Sequence, residues 1–280
     1  MIKINQQTAL DFLYNTVLGR ILLKPLTCKG ISVLAGKFLD SSFSSVLIDS
    51  FIRNNNIDEQ EYQNRKYISF NDYFTRKGVT GFRTLDVNPD SFISPCDSAL
   101  TVHRITSDSR YSIKNSIYTV ADLLRDDELA KEYEDGYIFI FRLAVNNYHR
   151  YCFVDNSTIL SSKKIDGKFH TVMPIALNSC NVYSENTREY TVLETKSFDK
   201  IIQCEVGAML VGRISNNQYL FPVRRGQEKG KFEFGGSTII VLAKKGTVAI
   251  RKDIAYNSVN GIETNVLIGE KIGQKLWQHL

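Results

Sequence analysis

A short glycine-serine segment toward the C-terminal end has the residue types needed for self-cleavage of a polypeptide. Its sequence is Gly235-Gly236-Ser237-Thr238. The two glycines lack a Cβ, so the backbone can bend tightly enough to bring a serine hydroxyl against the preceding carbonyl. Attack of Ser237 on the Gly236 carbonyl would give an ester, which can break by β-elimination and leave a pyruvoyl group. By itself, the tetrapeptide fits a glycine turn before a strand equally well.

Such an attack needs a base for the serine proton, and a carboxylate often orients that base. Asp97 follows Pro95 at the end of an apolar stretch, where a carboxylate could orient an imidazole and stabilise its charged form. His149 lies in the segment 147–151 and is a candidate imidazole. An isolated histidine is more often a hydrogen-bonded core residue, so the assignment of His149 depends on the wider pattern.

Three segments, in order along the chain, together resemble the phosphatidylserine decarboxylase family. Residues 225–240 resemble the processing segment of that family, in which Gly-Ser-Thr follows a glycine-phenylalanine run and opens the small subunit. Residues 94–98 resemble its Pro-x-Asp-Gly/Ser turn, and residues 147–151 resemble its Asp-Tyr-His-Arg strand. Weaker matches at residues 70–76 and 205–212 extend the resemblance over most of the chain between them.

The resemblance implies a lyase that decarboxylates phosphatidylserine to phosphatidylethanolamine in phospholipid biosynthesis. It implies a zymogen cut autocatalytically between Gly236 and Ser237, into a large subunit (1–236) and a small subunit (237–280). Ser237 would then become the covalent pyruvoyl cofactor, which forms a Schiff base with the substrate and serves as an electron sink. Asp97 takes the place of the family's triad carboxylate, and His149 is the candidate acid that protonates the carbanion.

The base of self-cleavage is left open, because many family members have a second histidine where this chain has Cys152. A neutral thiol is a weak acceptor, and its ordinary pKa is about 8.5. Three residues are candidates, in the order His149, His170 and Cys152. The ordinary alternatives are a core role for either histidine and a small buried hydrophobe for Cys152.

The elements that must position these residues fall into two regions. Residues 1–80 show apolar residues at helical spacing, first at 10–21 and then at 31–51, and Ser69 is predicted to cap a short helix. Residues 81–280 show β-branched and aromatic runs separated by Gly, Asn and Asp, with one helix predicted over about 120–133. The expected fold class is α+β: a β-rich, sandwich-like catalytic core with an N-terminal helical, membrane-facing layer.

Composition limits the partners. A net charge of +5 without a dense basic stripe argues against nucleic-acid binding. The basic residues between Arg224 and Lys231, with Lys244 and Lys245, form either a solvated loop face or a surface for anionic lipid. Five scattered cysteines without a Cys-x-x-Cys pair argue against a metal site and fit a reducing compartment.

The resemblance also implies partners and a location. Phosphatidylserine is the expected substrate, with Arg150 and Arg225 as candidates for contacting its headgroup. The chain is expected to associate peripherally with the cytoplasmic side of the cell membrane, and to form a homodimer of its own large and small subunits. The alternative function is a non-catalytic, uncleaved lipid-binding relative, motivated by Cys152. A pyruvoyl decarboxylase of soluble amino acids is a further rival.

Overall fold

The computed structural model describes residues 29–113, 116–168, 182–207, 213–219, 222–233 and 237–276. The helix predicted at residues 10–21 and the candidate base His170 lie outside these ranges. The helices are α1 (Lys29–Asp40), α2 (Ile48–Asn55), α3 (Phe70–Phe74), α4 (Val120–Leu124), α5 (Asp127–Lys131), α6 (Val182–Glu185) and α7 (Lys252–Val259). Two 3₁₀ helices span Ser42–Leu47 and Glu59–Glu61.

Strands dominate the chain after residue 90, as the sequence predicts. They are β1 (Ser91–Ile93), β2 (Ser98–Arg104), β3 (Arg110–Ile113), β4 (Ser116–Thr119), β5 (Tyr137–Leu143), β6 (Arg150–Cys152), β7 (Ser157–Ile165), β8 (Arg188–Thr195), β9 (Lys200–Gly207), β10 (Ile214–Asn216), β11 (Glu228–Phe232), β12 (Ser237–Ala243), β13 (Val248–Ile250), β14 (Thr264–Val266) and β15 (Lys271–Lys275). Together with the helices they confirm the predicted mixed α+β fold.

A seven-stranded antiparallel sheet, in the order β14-β2-β5-β12-β9-β8-β7, is the centre of the molecule. All residues of β12 are buried, because this central strand is covered on both faces. Side chains alternate between the faces, so Ile239 and Val241 enter one hydrophobic layer and Ile240 and Leu242 the other. The first layer also contains residues of β1, β6, β11 and β15, and we call this side the sheet-covered face.

The opposite side is the helix-covered face, where α4, α6 and the β3–β4 hairpin pack on the sheet. The predicted helix over 120–133 is divided into α4 and α5, because Arg125 adopts a left-handed conformation (φ 48°) that ends α4. Arg188 is buried beneath these helices. The two layers make the core sandwich-like.

Lys244-Lys245-Gly246, followed by Thr-Val-Ala-Ile, predicts a hairpin turn after β12, and the pairing of β12 with β13 that this implies is wrong. The chain does turn at Gly246, where φ is 74°, but β13 pairs with β15 in a separate three-stranded sheet. Both edges of β12 are already hydrogen-bonded to β5 and β9, so no edge remains for β13. A turn signature specifies the turn, whereas the strand partner depends on the whole sheet.

The N-terminal helices pack around their own small apolar cluster, formed by Leu39, Phe70 and Phe74 with Phe51 at its edge. The predicted cap of α3 is confirmed, since the Ser69 hydroxyl accepts a hydrogen bond from the Asp72 amide at 3.1 Å. The helices therefore form a layer beside the sheet core. This layer positions α3 against the strand that carries the candidate histidine.

Candidate active site

Ser237 is the first residue of the central strand β12. It lies opposite Leu143 of β5 and Gly207 of β9, and it shares the sheet-covered face with Ile239. Ser237 is fully buried, and its Oγ has no hydrogen-bond partner among the described residues. Within the described residues nothing competes for this hydroxyl, so its oxygen is available to attack the preceding carbonyl.

The chain on the N-terminal side of the cleavage segment is held in place up to residue 233. The Phe232 amide donates to the His149 carbonyl at 2.9 Å, which fixes β11 beside the histidine. The Glu233 carboxylate contacts Arg213 and accepts a hydrogen bond from Asn71 at 3.2 Å. Residues 234–236, including Gly235 and Gly236, lie outside the described residues. The segment is thus anchored on both sides of the proposed cut.

His149 is buried, and its environment defines its tautomer. Its Nδ1 lies 2.9 Å from the Asn147 carbonyl oxygen, which can only accept, so Nδ1 carries the proton. Nε2 then holds a lone pair, and it has no partner among the described residues. Burial, followed by the positive charge of Arg76, lowers the pKa of His149 to about 3. The imidazole is therefore neutral near pH 7, in the form that accepts a proton.

Asp97 does not orient His149 in this structure. Its Oδ2 accepts from Arg83 at 3.0 and 3.2 Å, and its Oδ1 accepts from the Ile268 amide at 2.8 Å. Arg83 is bound in addition by Glu61 at 3.1 Å. The expected contact between the Asp97 carboxylate and the imidazole is therefore absent. Asp97 forms an ion pair with Arg83, and the His149 ring contacts a backbone carbonyl.

Cys152 lies beside the turn that precedes Asp97. Its amide donates to the Pro95 carbonyl at 2.9 Å, which ties β6 to the turn that precedes Asp97. Cys152 and Arg83 line the same cavity of ≈ 250 Å³. Burial raises the pKa of the Cys152 thiol to about 12, with a smaller contribution from the charge of Asp97. The thiol is consequently protonated near neutral pH and is a poor base.

The two arginines considered for the headgroup are both occupied by internal partners. Arg225 donates to Asp155 at 2.8 Å and to the Pro89 carbonyl at 2.8 Å. Arg150 donates to the Thr75 carbonyl at 2.9 Å and to Glu228 at 2.8 Å. Neither guanidinium is a free anion receptor, so these headgroup assignments are not supported.

The basic cluster around β11 is likewise mostly neutralised. Lys244 pairs with Glu132 at 3.0 Å, and Lys245 pairs with Asp135 at 3.0 Å. Lys229 is buried, with its ammonium 2.5 Å from Glu205. The cluster is therefore neither a free basic patch nor a purely solvated loop.

The Glu205–Lys229 pair is a feature that the sequence analysis did not identify. Asn216 donates to the same Glu205 oxygen at 3.1 Å, and burial raises the pKa of the carboxyl. Glu205 lies opposite Ile239, so it shares the sheet-covered face with Ser237. The two partners are 24 residues apart in sequence, and Lys229 lies in a stretch that resembles a loop. No local pattern therefore predicts the pair. Arg76 was also missed, although it lies within the weakly matching segment 70–76.

Comparison with known proteins assigns the family. The family model for phosphatidylserine decarboxylase matches residues 70–274. Phosphatidylserine decarboxylase proenzyme 2 of Clostridium acetobutylicum is 47% identical over 266 residues, covering 95% of this chain and 91% of the relative. The proenzyme of Clostridium tetani is 39% identical over 98% of this chain and 94% of its own length.

A relative with lower sequence identity gives the same result. The phosphatidylserine decarboxylase proenzyme of Fusobacterium nucleatum is 37% identical over 98% of this chain and 93% of the relative. The matched range includes Asp97, His149, Cys152 and Ser237. The buried serine at the start of the central strand thus lies in a chain that belongs to the phosphatidylserine decarboxylase family.

Proposed function

We propose that the chain is a precursor that cuts itself between Gly236 and Ser237 and then converts phosphatidylserine to phosphatidylethanolamine and carbon dioxide. The observation that carries the proposal is the position of Ser237, which is buried at the first position of β12 with a hydroxyl that has no partner among the described residues. The family match and the proenzyme names of the relatives support the same function.

In the first step, the Ser237 oxygen attacks the Gly236 carbonyl carbon while His149 Nε2 accepts the hydroxyl proton. The lone pair on Nε2 suits this role, because no described group competes for it. The Gly236–Ser237 C–N bond then breaks as its nitrogen is protonated, which leaves an ester. A general base of this kind contributes about 10²- to 10⁴-fold in rate.

In the second step, loss of the Ser237 α-proton breaks the ester C–O bond and releases the Gly236 carboxylate. The resulting dehydroalanine tautomerises to an imine, and water hydrolyses it to a pyruvoyl group with release of ammonia. The position of Ser237 fits this group, because a buried site excludes bulk water from the chemistry that follows. When formed, the keto group supplies an electron sink for decarboxylation.

The two subunits should remain together after cleavage. The small subunit would contribute β12 at the centre of the large sheet, β14 paired with β2, and β15 paired with β1. Each of these strands is hydrogen-bonded to a strand of the large subunit. Cutting the chain before Ser237 therefore removes one covalent link and leaves the ladders intact.

The direct test is the intact mass of the purified protein. We expect two chains on a denaturing gel. The mass of the smaller should equal that of residues 237–280 with Ser237 converted into an N-terminal pyruvoyl group. That chain should resist Edman degradation, because it has no free amine. A single stable chain after long incubation would instead support the uncleaved lipid-binding alternative. Activity on free serine equal to that on phosphatidylserine would support the soluble amino-acid rival.

We also propose that the N-terminal helices contact the cytoplasmic side of the cell membrane. Large apolar side chains are exposed there: Leu34 (70%), Phe38 (50%), Phe43 (80%) and Val46 (77%). We call these four the N-terminal apolar surface. No helix in the described part of the chain is long and apolar enough to span a bilayer. An interfacial contact is the mode that such a surface supports.

Replacing Phe43 and Val46 together by serine should weaken binding to vesicles by at least about tenfold, since each buried apolar side chain contributes about 1.5–3 kcal/mol. Vesicles of phosphatidylcholine and phosphatidylglycerol, without phosphatidylserine, separate this contact from substrate binding in a sedimentation assay. Val259→Ser is the matched control, because Val259 is 88% exposed on α7. Equal binding by the double variant and the wild type would refute the assignment.

We infer a homodimer from the family resemblance. Sedimentation equilibrium should give twice the mass of one processed protomer, and a monomer at all concentrations would contradict it.

A further inference from the structure

Arg76 holds a buried positive charge that no carboxylate of the described residues neutralises. Its side chain is 1% exposed, and both Nε and Nη1 lack a hydrogen-bond partner there. Nη2 donates to the Asn146 carbonyl at 3.4 Å, and the guanidinium also interacts with the Tyr62 hydroxyl. The guanidinium lies over the rings of Tyr62 and Tyr73, at 4.2 and 5.0 Å from their centroids. Ring contacts offset only part of the cost of burying a charge.

Arg188 shows how this chain satisfies a buried arginine when the role is structural. Its Nε donates to the Leu123 carbonyl at 2.6 Å, and its Nη2 donates to the Asp122 carbonyl at 2.8 Å. Its Nη1 donates to the carbonyls of Ser184 and Asn186, at 2.7 and 2.9 Å. All three nitrogens of Arg188 are used, whereas Nε and Nη1 of Arg76 have no hydrogen-bond partner among the described residues.

The charge of Arg76 acts on His149, and its guanidinium is separated from a large cavity by the two tyrosine rings on which it stacks. Phe74, two residues earlier, packs on the His149 ring with centroids 4.0 Å apart. Tyr62 and Tyr73 line a cavity of ≈ 700 Å³. The Tyr73 hydroxyl is a second buried group without a partner among the described residues.

The same cavity is lined by residues that are sequence neighbours of the N-terminal apolar surface. Ser45 and Ile48 line it, and the exposed Val46 lies between them in sequence. A lipid whose acyl chains rest on that surface would therefore have its headgroup next to the cavity. The arrangement leads from the proposed membrane contact toward Arg76 and His149.

We propose that Arg76 is the anion receptor of the active site and binds the phosphodiester of the phospholipid headgroup, with the Tyr73 hydroxyl as a second donor. The inference rests on the proposed function, and it assigns the headgroup contact that Arg150 and Arg225 cannot make. A guanidinium with unused donors is well suited to a phosphodiester oxygen.

The phosphodiester fits better than the substrate carboxylate. The carboxylate loses its charge as carbon dioxide leaves, so an arginine bound to it would stabilise the ground state more than the transition state. The phosphodiester keeps its charge throughout the reaction. Arg76 can thus hold it without opposing the chemistry.

Binding of an anion would also change His149. The charge of Arg76 contributes to the lowered pKa of His149 in the free site. A bound phosphodiester offsets that charge, which favours a proton on the imidazole. His149 is then better prepared to protonate the carbanion after decarboxylation.

The test compares Arg76→Met with the wild type on ligands that carry one anion each. For dihexanoyl phosphatidylserine, KM should rise about 10- to 100-fold in the variant, with a smaller change in kcat. Inhibition by glycerophosphoethanolamine, which has the phosphodiester and no carboxylate, should weaken by the same factor. Turnover of free serine, which has the carboxylate and no phosphate, should not change.

Arg104→Gln is the matched control, because it removes an arginine charge from an exposed position paired with Asp135. It should match the wild type in every arm. Loss of serine turnover with phosphodiester binding retained would reassign Arg76 to the carboxylate and overturn the proposal. Equal losses in all arms of Arg76→Met would show a structural role and overturn it too.

A binding measurement on wild-type protein covers the case in which Arg76→Met does not fold. Glycerophosphoethanolamine should raise the thermal midpoint of the processed wild-type enzyme, and O-methylserine should not. Absence of a shift at saturating concentrations overturns the proposal. Because this readout needs no turnover, it remains decisive even if the protein proves not to decarboxylate phosphatidylserine.

Discussion

The Ser237→Ala variant should remain one uncut chain of 280 residues and should release no carbon dioxide from phosphatidylserine. The methyl side chain cannot attack the Gly236 carbonyl, so neither the ester nor the pyruvoyl group forms. Because the whole activity depends on that group, we expect a loss to background. Ser237 is fully buried and its hydroxyl has no partner to lose among the described residues, so folding should be little affected. A denaturing gel, intact mass and release of labelled carbon dioxide measure the result.

Thr238→Val is the matched control for Ser237→Ala. Thr238 is the next residue, equally buried and also without a hydroxyl partner in the described part of the chain, but its side chain is on the helix-covered face. Removing that hydroxyl should leave cleavage within about tenfold of the wild type, because it cannot reach the carbonyl from the opposite face. Normal cleavage of Ser237→Ala would show that the nucleophile lies elsewhere.

The second large effect is expected from His149→Asn, which should slow self-cleavage by about 10²- to 10⁴-fold. The asparagine amide can replace the Nδ1 donor to the Asn147 carbonyl, while the Nε2 lone pair is lost. The change therefore removes the base and keeps the local hydrogen bond. Cleavage of labelled precursor made by cell-free translation, followed by gel electrophoresis over time, measures the rate.

Cys152→Ala and His170→Ala are the parallel variants that compare the other two candidate bases. Both should cleave within about threefold of the wild type, because the Cys152 thiol is held protonated and His149 already supplies an acceptor. If one of them stops cleavage while His149→Asn does not, that residue is the base and our assignment is incorrect.

The pH dependence distinguishes the imidazole from the thiol without mutation. The pKa of His149 is lowered from 6.5 to about 3, so the ring is unprotonated and the rate should be flat from about pH 5 to about pH 8. A Cys152 thiolate, with a pKa of about 12, would instead give a rate rising about tenfold per pH unit through this range. The lowered pKa also costs stability as pH falls from 6.5 toward about 3, because the unfolded chain binds the proton first. A folding probe must therefore accompany points below about pH 5.

Much of the β-rich core follows from local sequence pattern. β5, β9 and β12 were recognisable because their β-branched and aromatic runs fit strands that are buried on both faces. The Ser69 cap of α3 is equally local, since donor and acceptor are three residues apart. The cleavage segment could also be predicted from the sequence, because its residues are adjacent in the chain.

The ion-pair partners of the buried charged side chains could not be predicted from the sequence. Arg225 is 70 residues from Asp155, and Lys229 is 24 residues from Glu205, and only the folded sheets bring each pair together. The local stretch around them reads as a solvated basic loop. The charge of Arg76, which no carboxylate in the described part of the chain neutralises, is likewise visible only in the folded structure.

The sequence by itself therefore determined the family and the α+β class, and it predicted Ser237 as the nucleophile, because these depend on residue types at fixed spacing. The tertiary structure alone decided the chemical states around that serine. Burial and the nearby charge of Arg76 make His149 a neutral base, and burial makes Cys152 a protonated thiol. Asp97 forms an ion pair with Arg83. These states arise from desolvation and from contacts between distant residues, neither of which a linear pattern contains.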